Sequence, residues 1–231
     1  MKKTLAILLT LALCLALTAC GGSQSSVSGQ TSQSGQTAAT PEPAPEPTTD
    51  PNFDIGVTSG GRYENSYFKL GCELDDSWVF ATEEELLNMG ATTAEYVDDE
   101  ELKQLLMDAD SFFDMSAEKD GGQESVNAVV ENVGLRNSLL ITEQAYVDAS
   151  LDNLKTQMES MGMTDVEAEK ITVDFAGASH PGIRLTAKIS GLDYFMEDVV
   201  IKQGQWVMVV TAGSLFEDDT ANILNSFFAV N

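Results

Sequence analysis

The chain predicts an α+β fold, an antiparallel β-sheet with helices packed on it, and three observations carry that expectation. Alternating apolar and polar residues mark strands at 171–175 and 183–189. Two nearly continuous apolar runs, 194–201 and 206–211, flank Lys202-Gln203-Gly204-Gln205 as a hairpin whose strands are covered on both faces. Ahead of them Val147, Leu151, Leu154, Met158 and Met161 recur at steps of four and three, a single helical stripe that needs a sheet to lie on.

Taken in order, the first strand is expected at 67–74, where Tyr67, Phe68, Leu70, Cys72 and Leu74 are apolar, and a short second one at Trp78-Val79-Phe80 after the Asp75-Asp76 turn. Thr82-Glu83-Glu84-Glu85 spells a capping box: the threonine oxygen accepts from the backbone N–H three residues on, and Glu85 reaches back. Gly90 can end that helix, and a further helical turn or two is expected at 98–107. Phe112-Phe113 and residues 126–133 read as a hairpin around Lys119-Asp120-Gly121-Gly122, whose residues suit a positive-φ turn. The central helix is capped at Thr142 and stops at Gly162. After the four-strand meander, residues 216–228 read as a closing helix with Asp218 and Asp219 near its positive N-terminal end. Strands followed by helices in this order favour an antiparallel sheet under a helical layer.

Three stretches divide the chain: residues 1–19, residues 20–52 and residues 53–231. The middle one is Ser, Gln, Gly and Thr, then alternating Pro and Glu, with Val27, Ala38, Ala39 and Ala44 as its only apolar side chains. Such a segment cannot bury enough surface to offset its ordering entropy and reads as a tether. Its flexible and proline-stiffened parts together suggest a reach on the order of 30–60 Å. The last stretch is long enough for a single hydrophobic core. Of the 37 acidic side chains only Glu42, Glu46 and Asp50 precede it, and of the 12 basic ones only Lys2 and Lys3, which leaves the domain 34 acidic against 10 basic. A field of that sign repels nucleic-acid phosphate and anionic headgroups, so no nucleic-acid partner is expected, nor a domain lying flat on a membrane.

Residues 1–19 have the order of a secretory leader: Lys2 and Lys3, an apolar run over 5–17, and a small-residue exit. The run is too short to span a bilayer comfortably. Leu17-Thr18-Ala19-Cys20 resembles the bacterial lipobox. That resemblance implies that Cys20 carries diacylglycerol by a thioether, that residues 1–19 are then cut away, and that Cys20 becomes the mature N-terminus. Two acyl chains hold where one binds only marginally. The expected place is therefore the extracytoplasmic face of a cell membrane, lipid-anchored through Cys20. Cys14 lies in the leader, so Cys72 stands alone in the domain and no internal disulfide is expected.

The order of elements resembles the fold of the photosystem II protein PsbP, its prokaryotic relatives and the DcrB-like lipoproteins, an α-β-α sandwich. Gly61-Arg62-Tyr63-Glu64-Asn65-Ser66-Tyr67-Phe68, leading to Gly71, Asp76 and Trp78, resembles the opening of lipobox-bearing proteins of low-GC Gram-positive bacteria. The resemblance covers nearly all of residues 61–231. It implies an extracytoplasmic accessory domain that docks to protein complexes more than it catalyses. Metal sites in PsbP-type proteins use histidine, and no position here matches such a motif.

A search for chemistry returns few groups. His180 is the sole histidine; in Ser179-His180-Pro181-Gly182 it reads as a turn residue, and adjacent strand residues point to opposite faces, so Ser179 and His180 do not form a nucleophile pair. One histidine and one cysteine do not make a zinc site. Cys72 has no basic sequence neighbour to lower its pKa and reads as a small apolar strand residue. Asp108, Asp110 and Asp114, or Asp98, Asp99, Glu100 and Glu101, offer carboxylates to calcium without the spacing of the twelve-residue loop, and read as a solvated acidic face. Tyr63, Tyr67 and Phe68 are strand-spaced aromatics expected in the core. Met158 and Met161 continue the helical stripe, and Met163 follows it, so packing is expected of them. No catalytic, cofactor or metal set is therefore assigned, and Cys20 is the one site residue. The leading expectation is a non-enzymatic, lipid-anchored binding domain with an extracytoplasmic protein partner. The alternatives are a hydrolase using a carboxylate pair, or calcium binding by the acidic face.

Overall fold

The computed structural model describes residue 50 and residues 52–90, 111–134 and 138–230. The expected leader, Cys20, most of the expected tether and the helix expected at 98–107 lie outside the described residues. In chain order the first elements are β1 (Val57–Ser59), β2 (Arg62–Asn65), β3 (Leu70–Glu73), β4 (Trp78–Phe80), α1 (Glu83–Met89), β5 (Ser111–Lys119) and β6 (Glu124–Asn132). They are followed by α2 (Glu143–Ser160), β7 (Thr164–Phe175), β8 (Ala178–Ile189), β9 (Leu192–Gln203), β10 (Trp206–Leu215), α3 (Thr220–Leu224) and β11 (Phe227–Ala229). The expected α+β class, antiparallel sheets with a few helices, is the one observed. Seven strands form a large sheet in the order β4-β5-β6-β10-β9-β8-β7, and four form a small one, β1-β2-β3-β11.

The large sheet is covered on both faces, which explains the continuous apolar character of β9 and β10. On one face Val147, Leu154 and Met158 of α2 lie against Ile183, Leu185, Tyr194, Met196, Val200 and Val207. On the other, Met115, Val126, Val130, Val199, Met208 and Val210 meet Tyr63, Leu70 and Cys72 of the small sheet and Ile223 and Leu224 of α3. A second sheet thus takes the place of a helical layer on that face. The helix α2 begins at Thr142, whose Oγ1 accepts from the N–H of Ala145 at 3.1 Å. It stops where Gly162 takes φ 89°, with the N–H of Met163 bonded to Met158 O and that of Gly162 to Glu159 O, a Schellman ending. The capping box of α1 is present in both directions between Thr82 and Glu85. The expected hairpin turns at 119–122 and 202–205 join β5 to β6 and β9 to β10.

Two expectations are corrected. Residues 67–74 are not one strand: Asn65 Oδ1 accepts from the N–H of Phe68 at 2.9 Å, closing a turn at 66–69 that drops the Tyr67 and Phe68 rings into the core, and β3 begins only at Leu70. Residues 216–228 are not one helix either. Only α3 is helical, its N-cap Asp219 makes no side-chain cap bond, and Phe227–Ala229 pair instead with β3, in register Phe227 to Cys72. The second edge of β3 would otherwise lack partners, and satisfying it outweighs the local helical pattern.

The two sheets are docked through one carboxylate. A register shift between Phe113 and Met115 makes Asp114 the extra residue of a β-bulge and turns it inward. Its Oδ1 accepts from the N–H of Gly56 at 2.7 Å, and its Oδ2 accepts from Asn65 Nδ2 at 2.8 Å and from the Tyr63 hydroxyl. A Cβ on residue 56 would sit 2.2 Å from the Tyr63 ring, so only glycine lets the chain close over this cluster. Burial raises the Asp114 pKa, and the three bonds pull it partly back. Asp114→Ala removes the acceptor shared by the Tyr63 hydroxyl, Asn65 Nδ2 and the Gly56 N–H and is expected to cost about 3 kcal/mol or more, read from urea denaturation of the chain from residue 20 on. A loss within experimental error would mean that the bulge does not join the sheets.

Candidate functional site

Glu197 and Asp198 sit side by side on β9 within an apolar run, so the strand presents one acid to each face of the large sheet. Glu197 is answered by Arg184 of β8, whose Nε donates to Oε1 at 2.7 Å while Nη2 donates to the same oxygen. Asp198 lies on the α2 face and has a weaker partner: Thr211 of β10 donates to its Oδ1 at 2.5 Å. With no cation beside it among the described residues, burial pushes the Asp198 carboxyl up to about 7, against the pull of the Thr211 bond.

Register continues this polar row across the sheet. Thr211 is paired with Asn127 of β6, and Asn127 with Ser116 of β5, so Asp198, Thr211, Asn127 and Ser116 point to one face. All four are buried, and Asn127 Oδ1 has no hydrogen-bond partner among the described residues. Ser116 also lines a cavity of about 170 Å³ with Ser125, Val79, Phe80, Ala81, Met89, Glu85 and Glu118. The Glu85 carboxylate there is already committed to the cap of α1. The cavity combines an apolar wall with a few hydroxyls, Asp198 lies outside its lining, and among the described residues no nucleophile-and-base pair lines it.

A second cavity, of about 250 Å³, opens where the tether meets the domain and is lined by Asp50, Asn52, Ser66, Tyr67, Lys69, Gln203 and Gly204. The Tyr67 hydroxyl lies 2.9 Å from Asp50 Oδ2 and 3.0 Å from Gln203 O, so it can donate to either. Phe53 stacks on Trp206 with ring centroids 3.8 Å apart. The chain is therefore held against the β9–β10 hairpin from the point at which the domain begins.

No family model matches the chain, and no curated protein does. Among solved structures it is similar to PA94 of Pseudomonas aeruginosa, a protein of unknown function, at 14% identity over 39% of this chain and 58% of that one, with a TM-score of 0.27. It is also similar to LpqN of Mycobacterium tuberculosis, described as involved in cell envelope biogenesis, at 10% identity over 70% of this chain and 83% of that one, with a TM-score of 0.32. The chain thus spans little more than half the length of the first of these. Overlaps this loose assign no family.

The residues singled out in the sequence are scattered. Cys72 is buried in β3 with Sγ 3.2 Å from Ser226 Oγ, and burial pushes its thiol up to about 11, the opposite of an activated nucleophile. His180 is not a turn residue: it lies within β8, its Nδ1 3.3 Å from Glu143 Oε2. Pro181 fits there because the β8–β9 ladder begins only at Gly182, so no N–H is required toward β9. Glu143 also accepts from the N–H of Lys202 at 2.9 Å. Burial alone would raise its pKa, but these two partners hold it below the ordinary range. This contact ties the start of α2 to the β9–β10 hairpin. Asp114 is not on a solvated face, as its three donors show; Asp98, Asp99, Glu100, Glu101, Asp108 and Asp110 lie outside the described residues. Tyr63, Tyr67 and Phe68 are core, and so are Met158 and Met163.

Sequence reading missed the Asp198 row. Its signal was present: a Glu-Asp pair inside a strand covered on both faces requires a buried partner on each side. Asp198 also sets a pH dependence. Because its folded pKa of about 7 lies above the ordinary aspartate value of 3.8, the native state retains a proton that the unfolded chain gives up, and stability falls as pH rises between those values. The decline attributable to Asp198 is at most about 4 kcal/mol. Asp198→Asn keeps an acceptor for Thr211 without the ionisation, and urea denaturation at pH 5 and pH 8 is expected to show it losing less stability than wild type. Equal losses would contradict the assignment.

Proposed function

We propose that this chain is a lipid-anchored, extracytoplasmic binding domain that docks to an envelope protein and catalyses nothing. The reading is carried by Leu17-Thr18-Ala19-Cys20 behind a leader and ahead of a tether. Among the described residues no helix is long and apolar enough to cross a membrane. The interior polar groups support binding over catalysis. Asp114, Glu197 and Glu143 are each taken up by donors that join one element to another.

The docking face under this reading is the cavity beside β4. Among the described residues β4 is one of the two edge strands of its sheet, and Val79 in its centre is 66% exposed. A short extended segment can add to such an edge, with apolar side chains reaching Phe80 and Met89 and a basic one meeting Glu118. A hydrolase built on a raised carboxyl is the second reading, favoured by Asp198 alone. It requires Asp198→Asn to abolish turnover, whereas docking leaves that variant fully active in partner capture.

Mass spectrometry of the chain from its native host is expected to find the N-terminus at Cys20 with a diacylglyceryl adduct. A photocrosslinker at Val79 is expected to capture a discrete envelope protein, and the capture is lost when Met89, which lines the same cavity, is also made Asp. An unmodified Cys20 thiol or an uncut leader contradicts the anchor, and turnover by the purified chain contradicts the absence of catalysis.

A further inference from the structure

Leu139 and Leu140 are 87% and 81% exposed, the most exposed large apolar side chains among the described residues. Exposing two adjacent leucines to water is costly unless something else covers them. They lie on the connection between β6 and α2, and both flanks of that connection are pinned to the β9–β10 hairpin. On one side the N–H of Val133 donates to Gln205 O at 2.9 Å; on the other Glu143 accepts from the N–H of Lys202. Asp50 is held at that same hairpin through Tyr67 and Gln203. The two leucines therefore sit at the end of the sheet from which the tether leaves.

The opposite end is marked by the β5–β6 and β8–β9 turns and by the end of β10. It carries Glu118, Asp120, Glu124, Asp193, Glu217, Asp218 and Asp219 on or beside those turns, against Lys119 and Lys188, which are ion-paired to Glu124 and Asp193. At the tether end Lys69 and Lys202 stand beside the hairpin with Asp50, Glu131 and Glu143, so this end is the less negative of the two. Above an anionic leaflet, charge placed in this way turns the acidic end outward and the tethered end inward.

We infer that Leu139 and Leu140 rest in the headgroup and outer acyl region of the bilayer that holds the lipid on Cys20, giving the domain a fixed orientation on its tether. The inference rests on the lipid-anchor reading. Twenty-nine residues lie between Cys20 and Asp50, enough to let that end touch the membrane without holding it there. The leucines supply a shallow apolar contact, made favourable by the high local concentration that the tether imposes. The occupant is lipid, since the anchor brings lipid to this end of the domain.

The test uses the acylated chain in vesicles of phosphatidylglycerol and phosphatidylethanolamine. An environment-sensitive fluorophore is placed by Leu140→Cys, by Leu139→Cys in a second preparation, and by Val79→Cys as the control at the far end. Cys72 is buried and stays unlabelled. Labels at 139 and 140 are expected to shift to the blue on vesicles and to lose most of their emission to nitroxide-bearing lipid, while the label at 79 does neither. If the chain floats with vesicles but positions 139 and 140 behave like 79, the orientation is overturned and the anchor stands. A blue shift that grows with protein concentration and ignores nitroxide lipid means self-association and also overturns it. If the acylated preparation fails to float, the anchor reading fails and this inference falls with it.

Discussion

The arrangement of this domain depends on a carboxylate withheld from water. Asp114 is the extra residue of a β-bulge, and three donors from the small-sheet side converge on it: the Gly56 backbone, Asn65 and Tyr63. Desolvating an acid is costly, and burial accordingly raises its pKa. A charge-assisted cluster of this kind is favourable only in one alignment, so it specifies how the small sheet sits on the large one. The apolar contacts of Tyr63, Leu70 and Cys72 supply the burial energy but tolerate sliding; the carboxylate does not.

From that docking follows a molecule with two distinct ends. The small sheet places its 66–69 turn against the β9–β10 hairpin, and there the tether enters. The same hairpin receives the start of α2 through Glu143 and the end of β6 through Val133. The far end gathers acidic turns and, among the described residues, an edge of the large sheet at β4. A domain moored at one end and offering a groove at the other is suited to hold a partner away from the surface, which is the reading proposed for its function.

Local chemistry was legible wherever the signal was local. The capping box of Thr82 and Glu85, the stop at Gly162 and the turns at 119–122 and 202–205 need only neighbouring residues, and each is in place. The α2 stripe was legible because Val147, Leu154 and Met158 obey one period. The small sheet was not, because β11 is separated from its partner β3 by some 150 residues and its apolar pattern suits a helix as well. The inward turn of Asp114 was hidden for a related reason, since a bulge is defined by register with another strand. The Asp198 row lay between these cases. Its acid was visible in an apolar run, but Asn127 and Ser116 join it only through the pairing of four strands.

The central claim is that the two sheets form one cooperative unit closed by Asp114. Native-state hydrogen exchange tests it most directly, through the amide of Gly56, which donates to that carboxylate. The account predicts that this amide exchanges only as slowly as the amides of Val129 and Val209, paired in the middle of the large sheet. Exchange at Gly56 far faster than at those positions would show the small sheet opening on its own, and would contradict it.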